Sequence, residues 1–134
     1  MNGVDDLAVL LGNLNPVLQS GEYVFVTLAN GVYGEGTTLQ PIASFAEHEG
    51  LTLVIPERRA TEEELPFDGT FRLITLSVYS DLHAVGLTAA VAGALSRSGI
   101  PANVIAAFHH DHVLVPTPQA EEAMAVLNGL ITRD

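Results

Sequence analysis

Residues 103–116 read NVIAAFHHDHVLVP, and this stretch decides the fold that the sequence predicts. Asn103 to His109 and His112 to Val115 are rich in β-branched and apolar residues, which favour strands. The segment HHDH at 109–112 lies between them and has the polar residues of a tight turn. We therefore expect an antiparallel hairpin here.

The segments on either side of the hairpin extend the pattern. Phe71 to Val78 alternates so that Ile74, Leu76 and Val78 share one face, which predicts a central strand. Ala84 to Ser98 has the apolar spacing of a helix, and Gly99 and Pro101 are typical of a helix end. A last helix is expected after Thr117. The order strand, helix, strand, strand, helix matches the first five elements of a βαββαβ ferredoxin-like unit.

The sequence of the first half of the chain indicates a similar but less complete order of elements. We expect a helix over 4–14, a strand over 22–29, a short helix over 41–49, a strand over 51–55 and a helix capped by Thr61. The residues LTLVIP at 51–56 precede an acidic helix, as HVLVP at 112–116 precedes another. A degenerate tandem repeat follows from this correspondence.

The predicted fold class is therefore α+β, of the ferredoxin-like type, with an antiparallel-rich sheet covered by helices. Residues 1–70, including the N-terminal helix, would form one unit and residues 71–134 the other, and we expect the two to share one core. An unpaired strand edge can pair with another chain and cause aggregation. Strand 22–29 is therefore expected to supply the strand that the second half lacks as its sixth element.

Composition excludes several classes of function. The formal net charge of -11 disfavours nucleic acid and anionic membranes as partners, and residues 1–70 hold eleven acids against two arginines. The chain has no cysteine, and all five of its basic residues are arginines, so thiolate and lysine chemistry are excluded. No apolar run approaches the roughly 20 residues of a membrane span, and the N-terminus lacks the basic start of a signal peptide. We expect a cytoplasmic protein without a cofactor.

Three stretches in order resemble a known family: EGLTLVIP at 49–56, VGLTAAV at 85–91 and the hairpin at 103–116. They are similar to small stand-alone tandem ACT proteins, related to the ACT pairs of aspartokinase and of the eukaryotic arginine sensors. The resemblance spans roughly residues 8–130. It implies an ACT-type fold and a non-catalytic regulatory protein that holds an amino acid at a domain or subunit interface, as a homodimer.

The resemblance also implies where a ligand would bind. ACT domains contact their ligand through the loop before the first helix and through the edge of the second strand. On this chain the loop positions, followed by the strand positions, are Ser80, Asp81, Leu82, Val85 and Gly86, then Asn103, Val104 and Ile105. A helix N-terminus would attract a carboxylate and Asp81 an ammonium group, which suits a zwitterion.

Three of these residues also have a purely structural explanation. Asp81 before a helix is typical of an N-cap. Gly86 could serve close packing between helix and sheet, and Asn103 could satisfy a backbone group at a strand end.

Two further functions stay open at this point. The histidines of 109–112 suggest a metal site, but only His110 and His112 share a strand face, and a catalytic site needs three protein ligands. His48 or His83 would have to complete it, so we expect no metal and keep His110 and His112 as the candidates. In the other alternative, the protein is an adaptor whose acidic first half docks on a basic partner.

Overall fold

The computed structural model describes residues 6–79 and 81–131. These residues form two compact units. Residues 6–20 and 72–131 form the first, here called the terminal unit, and residues 21–71 form the second, called the middle unit. The N-terminal helix, which we assigned to the first half, is thus grouped with the second half. The expected core shared between the units stays a prediction.

The terminal unit contains four strands and three α-helices. In chain order they are α1 (Leu7–Gly12), β1 (Pro16–Leu18), β5 (Phe71–Leu76, from Arg72 onward), α3 (Leu87–Arg97), β6 (Asn103–Ala106), β7 (Asp111–Pro116) and α4 (Ala120–Ile131). A short 3₁₀ helix, Thr117–Gln119, leads into α4. The strands lie in the order β1, β5, β7, β6. The expected strands around β5 and β7 and the expected helices α3 and α4 are confirmed.

One face of this sheet carries the core of the terminal unit. Ile74 and Leu76 of β5 and Val113 and Val115 of β7 pack with apolar residues of all three helices. The contributing helix residues include Leu10, Leu14, Leu87, Val91, Leu95, Ala123 and Leu127. Removal of this apolar surface from water is what holds α1, α3 and α4 against the sheet.

The fourth strand of the terminal unit, which fills the place of the sixth element of a βαββαβ unit, comes from the N-terminal side of the chain. Strand β1 pairs antiparallel with β5, with Pro16 opposite Leu76 and Leu18 opposite Ile74. The expectation that strand 22–29 would supply this strand holds only at one pair, Tyr23 opposite Phe71, because β1 occupies the edge of β5 at residues 74–76. Three residues carry no readable strand period, and only their pairing with β5 makes them a strand.

The middle unit is built from three antiparallel strands. Its elements are β2 (Tyr23–Ala29), a 3₁₀ helix (Thr37–Leu39), β3 (Ala43–Glu47), β4 (Gly50–Pro56) and α2 (Glu57–Glu62). The strand order is β3, β4, β2, and both pairings are antiparallel. Its core consists of Val24, Val26, Leu39, Leu51, Leu53, Ile55 and Ala60.

Two expected elements of the middle unit differ in the structure. The segment 41–49, expected to be a short helix, contains β3, because pairing with β4 overrides the helical propensity of its alanines and glutamates. Helix α2 begins directly after Pro56, so Thr61 lies near its end and does not cap its start. The Thr61 hydroxyl instead donates to the Glu57 carboxylate.

Backbone geometry confirms the tandem repeat. Pro56 and Pro116 each join a strand to a helix, with φ of -58° and -55° and ψ of 138° and 137°. Gly36 and Gly86 each cap the first helical turn after a strand, with φ of 77° and 104°. Both glycines are in the left-handed region, which L-residues with a side chain rarely adopt. The two halves therefore use the same connections at the same points.

Candidate functional site

The terminal unit contains a small cavity between the loop that precedes α3 and the turn that joins β6 to β7. Its volume is about 60 Å³. We call residues 81–86 the site loop. The apolar lining residues are Leu82, Ala84, Leu87, Ala106 and Ala107, and the polar ones are Asp81, Thr88, His110 and Asp111.

The site loop is shaped by a turn around Asp81. The backbone N–H of His83 donates to Oδ1 of Asp81 at 2.8 Å, and the N–H of Ala84 donates to its carbonyl oxygen at 2.9 Å. The N-cap of α3 is Gly86, and no side chain caps this helix. The interpretation of Asp81 as the N-cap of α3 is therefore wrong, because its carboxylate stabilises the turn.

The first turn of α3 forms one wall of the cavity through Leu87 and Thr88. The first N–H groups of an α-helix have no partner within the helix, and the helix dipole places partial positive charge at this end. Because α3 is 11 residues long and lacks a side-chain cap, this end offers donors to an anionic group.

His110 and Asp111 contribute titratable groups on the opposite side. Nδ1 of His110 donates to the carbonyl oxygen of Val78 at 3.3 Å, since a carbonyl can only accept. In the neutral ring Nε2 is then an acceptor. Burial raises the pKa of Asp111, although the neighbouring His112 and His110 act in the opposite direction. The cavity thus combines an uncapped helix end with two aspartates and an imidazole.

His112 points away from this cavity. Its neighbours Val113 and Val115 belong to the helix-covered core, so the His112 side chain is on the other face of the sheet. There its Nδ1 lies 3.1 Å from Oγ1 of Thr75. Burial lowers the pKa of His112, and the nearby His110 acts in the same direction.

The two candidate metal ligands therefore do not converge. Within residues 6–79 and 81–131, no group of three His, Asp or Glu side chains is arranged to hold a metal ion. The ring of His109 packs edge-on against Phe108, with ring centroids 5.0 Å apart, and against Tyr79 at 5.7 Å. The described residues give the metal alternative no support.

The structure separates the predicted loop residues into two groups. Asp81 and Leu82 line the cavity, whereas Gly86 lies just before α3 and Val85 is 83% exposed beside it. Ser80 lies outside the described residues.

The predicted strand residues lie next to the cavity and do not line it. The Asn103 amide donates to the carbonyl oxygen of Leu114 at 3.4 Å, as its structural explanation proposed. Val104 packs against the core and Ile105 pairs with His112. The strand side of the cavity is formed by Ala106 and Ala107. Their small size before a turn is the signal that could have identified them.

The corresponding place in the middle unit is filled. A Cβ on Gly36, the counterpart of Gly86, would lie 2.6 Å from Cδ1 of Leu53. The helix after Gly36 has only three residues, and the Glu35 carboxylate accepts from the Val32 N–H at 2.9 Å. The middle unit therefore packs a core leucine close to this glycine, whereas a Cβ on Gly86 would lie 3.1 Å from Leu7 of the terminal unit.

Comparison with known proteins agrees with this architecture. ACT domain profiles match residues 2–72 and, separately, residues 70–129. No curated protein sequence matches the chain. A Vibrio cholerae protein of unknown function, solved as a possible transport protein, is 44% identical, with a TM-score of 0.86 over 94% of this chain and 96% of that one.

Two solved aspartokinase structures share the fold at low identity. The aspartokinase α and β subunits are 12% identical, with a TM-score of 0.65 over 88% of this chain and 97% of that one. The ligand-free regulatory subunit of aspartate kinase from Thermus thermophilus is 10% identical, with a TM-score of 0.60 over 86% and 95%.

The two repeated α+β units define a class of protein built from paired ferredoxin-like domains. The chain belongs to the ACT domain family. The resemblance and the ferredoxin-like α+β fold expected from the sequence are thereby confirmed. Among the described residues, no helix is long and apolar enough to cross a membrane.

Proposed function

We propose that this protein is a non-catalytic sensor that binds a small zwitterionic amino acid in the cavity of the terminal unit. One observation carries the proposal: the cavity combines the uncapped N-terminus of α3 with the carboxylates of Asp81 and Asp111. The helix end would bind the ligand's carboxylate through N–H groups, and an aspartate would bind its ammonium group. Nε2 of His110 would accept a further hydrogen bond.

The size of the cavity restricts the ligand. A volume of 60 Å³ is about twice the roughly 30 Å³ that one water molecule occupies in the liquid, which favours the smallest amino acids, such as glycine or alanine. Ala84, Ala106 and Ala107 line it with methyl groups. A larger amino acid would have to extend its side chain out of the cavity.

The same size supports a homodimer. Small-molecule sites usually measure about 300–1,000 Å³ and enclose most of the ligand. Here the cavity is smaller, and Leu82, Val85 and Phe108 nearby are 61%, 83% and 70% exposed. We propose that a second copy of the chain covers these residues and closes the site, because such side chains gain free energy on burial.

The charge of the middle unit favours a second candidate function. Residues 21–71 carry nine acids against two arginines, a net charge of -7. This acidic surface would suit a basic partner if the protein were an adaptor. The cytoplasmic location expected from the sequence stays a prediction for both functions.

A thermal-shift screen against the twenty amino acids tests the proposal. We expect a selective rise in Tm with the smallest amino acids, since a ligand at 100 times its Kd adds about 2.7 kcal/mol of stability. Asp81→Asn keeps an acceptor for the His83 N–H but removes the charge, so it should abolish the rise. Asp68→Asn, an exposed residue of the middle unit, is the matched control. No rise in Tm with any of the twenty amino acids would contradict the sensor function and favour the adaptor.

A further inference from the structure

Residues 6–18, here called the N-terminal arm, comprise α1 and β1. Helix α1 has six residues, fewer than the roughly 12–15 that an isolated helix needs in water. Leu10 and Leu14 are fully buried in the core of the terminal unit, and β1 pairs with β5. The helix is therefore formed by docking and would be lost on undocking.

The arm contacts the end of the site loop. The side chain of Leu7 packs over Gly86, where an added Cβ would lie 3.1 Å from Leu7 Cδ2. Gly86 has φ of 104° and immediately precedes the turn of α3 that lines the cavity. A displacement of the loop end therefore changes the space available to Leu7.

Backbone hydrogen bonds also join the arm to the residues before the site loop. The N–H of Val78 donates to the carbonyl oxygen of Leu14 at 3.4 Å, and the carbonyl oxygen of Val78 accepts from His110. The N–H of Ser77 donates to the carbonyl oxygen of Asn15 at 3.3 Å. Val78 thus connects the arm directly to an imidazole that lines the cavity.

A left-handed residue lies between the two elements of the arm. Asn15 has φ of 42°, in a region that Asn adopts more readily than most residues with a side chain. The two backbone hydrogen bonds to Ser77 and Val78 are formed at Leu14 and Asn15, where α1 meets β1. Loss of these bonds would remove two contacts that hold this junction against β5.

We propose that docking of the N-terminal arm is coupled to the conformation of the site loop and of His110, so that the arm transmits occupancy of the cavity. The transmission of cavity occupancy rests on the proposed function, whereas the coupling of arm and loop does not. A ligand that draws His110 or the α3 end toward itself changes the contacts at Val78 and at Leu7. Undocking of the arm then exposes Leu10, Leu14 and the edge of β5, which is a surface that a regulated partner could detect.

The coupling can be tested without a ligand by two glycine variants. Gly86→Ala and Gly99→Ala both place alanine in the left-handed region, at φ of 104° and 73°. Only the Cβ at 86 meets the arm, because nothing lies within 4 Å of a Cβ at 99. We expect amide exchange of Leu10, Asn13 and Leu14 to be about tenfold faster in Gly86→Ala than in Gly99→Ala. Equal exchange rates in the two variants would overturn the coupling.

A second experiment measures the coupling to ligand, with glycine as the probe. Saturating glycine should change the exchange rates of the α1 amides. By reciprocity, Leu7→Ala should change the affinity for glycine, whereas Val9→Ala, a residue that is 45% exposed, should not. Glycine binding with unchanged α1 exchange would overturn the coupling and leave the proposed function standing. If no amino acid binds, the proposed function fails. The comparison of Gly86→Ala with Gly99→Ala still tests the coupling of loop and arm.

Discussion

Oγ1 of Thr75 lies 3.1 Å from Nδ1 of His112, on the sheet face opposite the helices of the terminal unit. Thr75 is only 9% exposed, and its oxygen also accepts from Nε2 of Gln19 at 3.1 Å. Because Oγ1 accepts from Gln19, the hydroxyl group can donate its proton to Nδ1 of His112. Nδ1 can accept this hydrogen bond only when it carries no proton, which favours the neutral imidazole. A threonine of β5 is thus hydrogen-bonded both to β7 and to the residue that follows β1.

This relationship predicts the effect of removing the hydroxyl group. Thr75→Val should lower the free energy of unfolding by about 1–3 kcal/mol, because Gln19 and His112 lose a partner in a partly buried place. Thr75→Ser keeps the hydroxyl and should cost less than the valine variant. Urea unfolding of both variants measures the difference, and equal losses would show that the hydrogen bonds do not stabilise the fold.

His112 also predicts a pH dependence of stability. Its pKa in the folded state is lowered below the ordinary 6.5, so folding favours the neutral ring. The contribution is therefore fully present above pH 6.5 and is lost as pH falls from 6.5 through the lower folded pKa. The expected loss is small, because the ring is partly exposed and its charge is screened by solvent.

The measurement is urea unfolding from pH 7.5 to pH 5, for the natural chain and for His112→Gln. The raised pKa of Asp111 acts with the opposite sign, since protonation of that carboxyl on acidification favours the folded state. Only the difference between the two proteins reports on His112. His48→Gln, in the exposed turn between β3 and β4, is the control. A pH profile unchanged in His112→Gln would contradict the prediction.

The filled space in the middle unit predicts unequal effects of two glycine substitutions in one loop. Gly34 and Gly36 both have positive φ, at 101° and 77°, but only a Cβ at 36 would meet Leu53. Gly34→Ala should cost about 1–2 kcal/mol from backbone strain alone. Gly36→Ala should cost about 2–4 kcal/mol, because overpacking of the core adds to the strain. Thermal unfolding distinguishes the two, and equal losses would refute the packing argument.

The exposed residues near the cavity predict the oligomeric state. Val85→Glu should convert a dimer into a monomer, since it places a charge where we propose an apolar interface. Val32→Glu, at a residue of the middle-unit loop that is 63% exposed, adds the same charge elsewhere. Sedimentation equilibrium of the two variants gives the comparison. A monomeric natural chain would contradict the proposed closure by a second copy.

Most regular elements could be predicted from periodicity. The helix expected over 84–98 is α3 at Leu87–Arg97, and the strand expected over 22–29 is β2 at Tyr23–Ala29. The sequence of segments 16–18 and 43–47 does not indicate strands. The pairing partner of 16–18 lies far along the chain in β5, and the pairing of 43–47 with β4 overrides the helical propensity of that segment. The candidate site could be predicted only on its loop side. Its strand side lies at Ala106 and Ala107, beyond the predicted strand residues, because the position of the turn decides which residues meet the loop.

The sequence by itself determined the repeated order of strands and helices, the acidic charge and the absence of cysteine and lysine chemistry, since these follow from local periodicity and composition. The tertiary structure decided that β1 completes the terminal sheet, that Leu53 fills the space near Gly36, and that His110 and His112 face different surroundings. Each of these depends on contacts between residues distant along the chain. Neither propensity nor period records such contacts, because both describe only near neighbours in sequence.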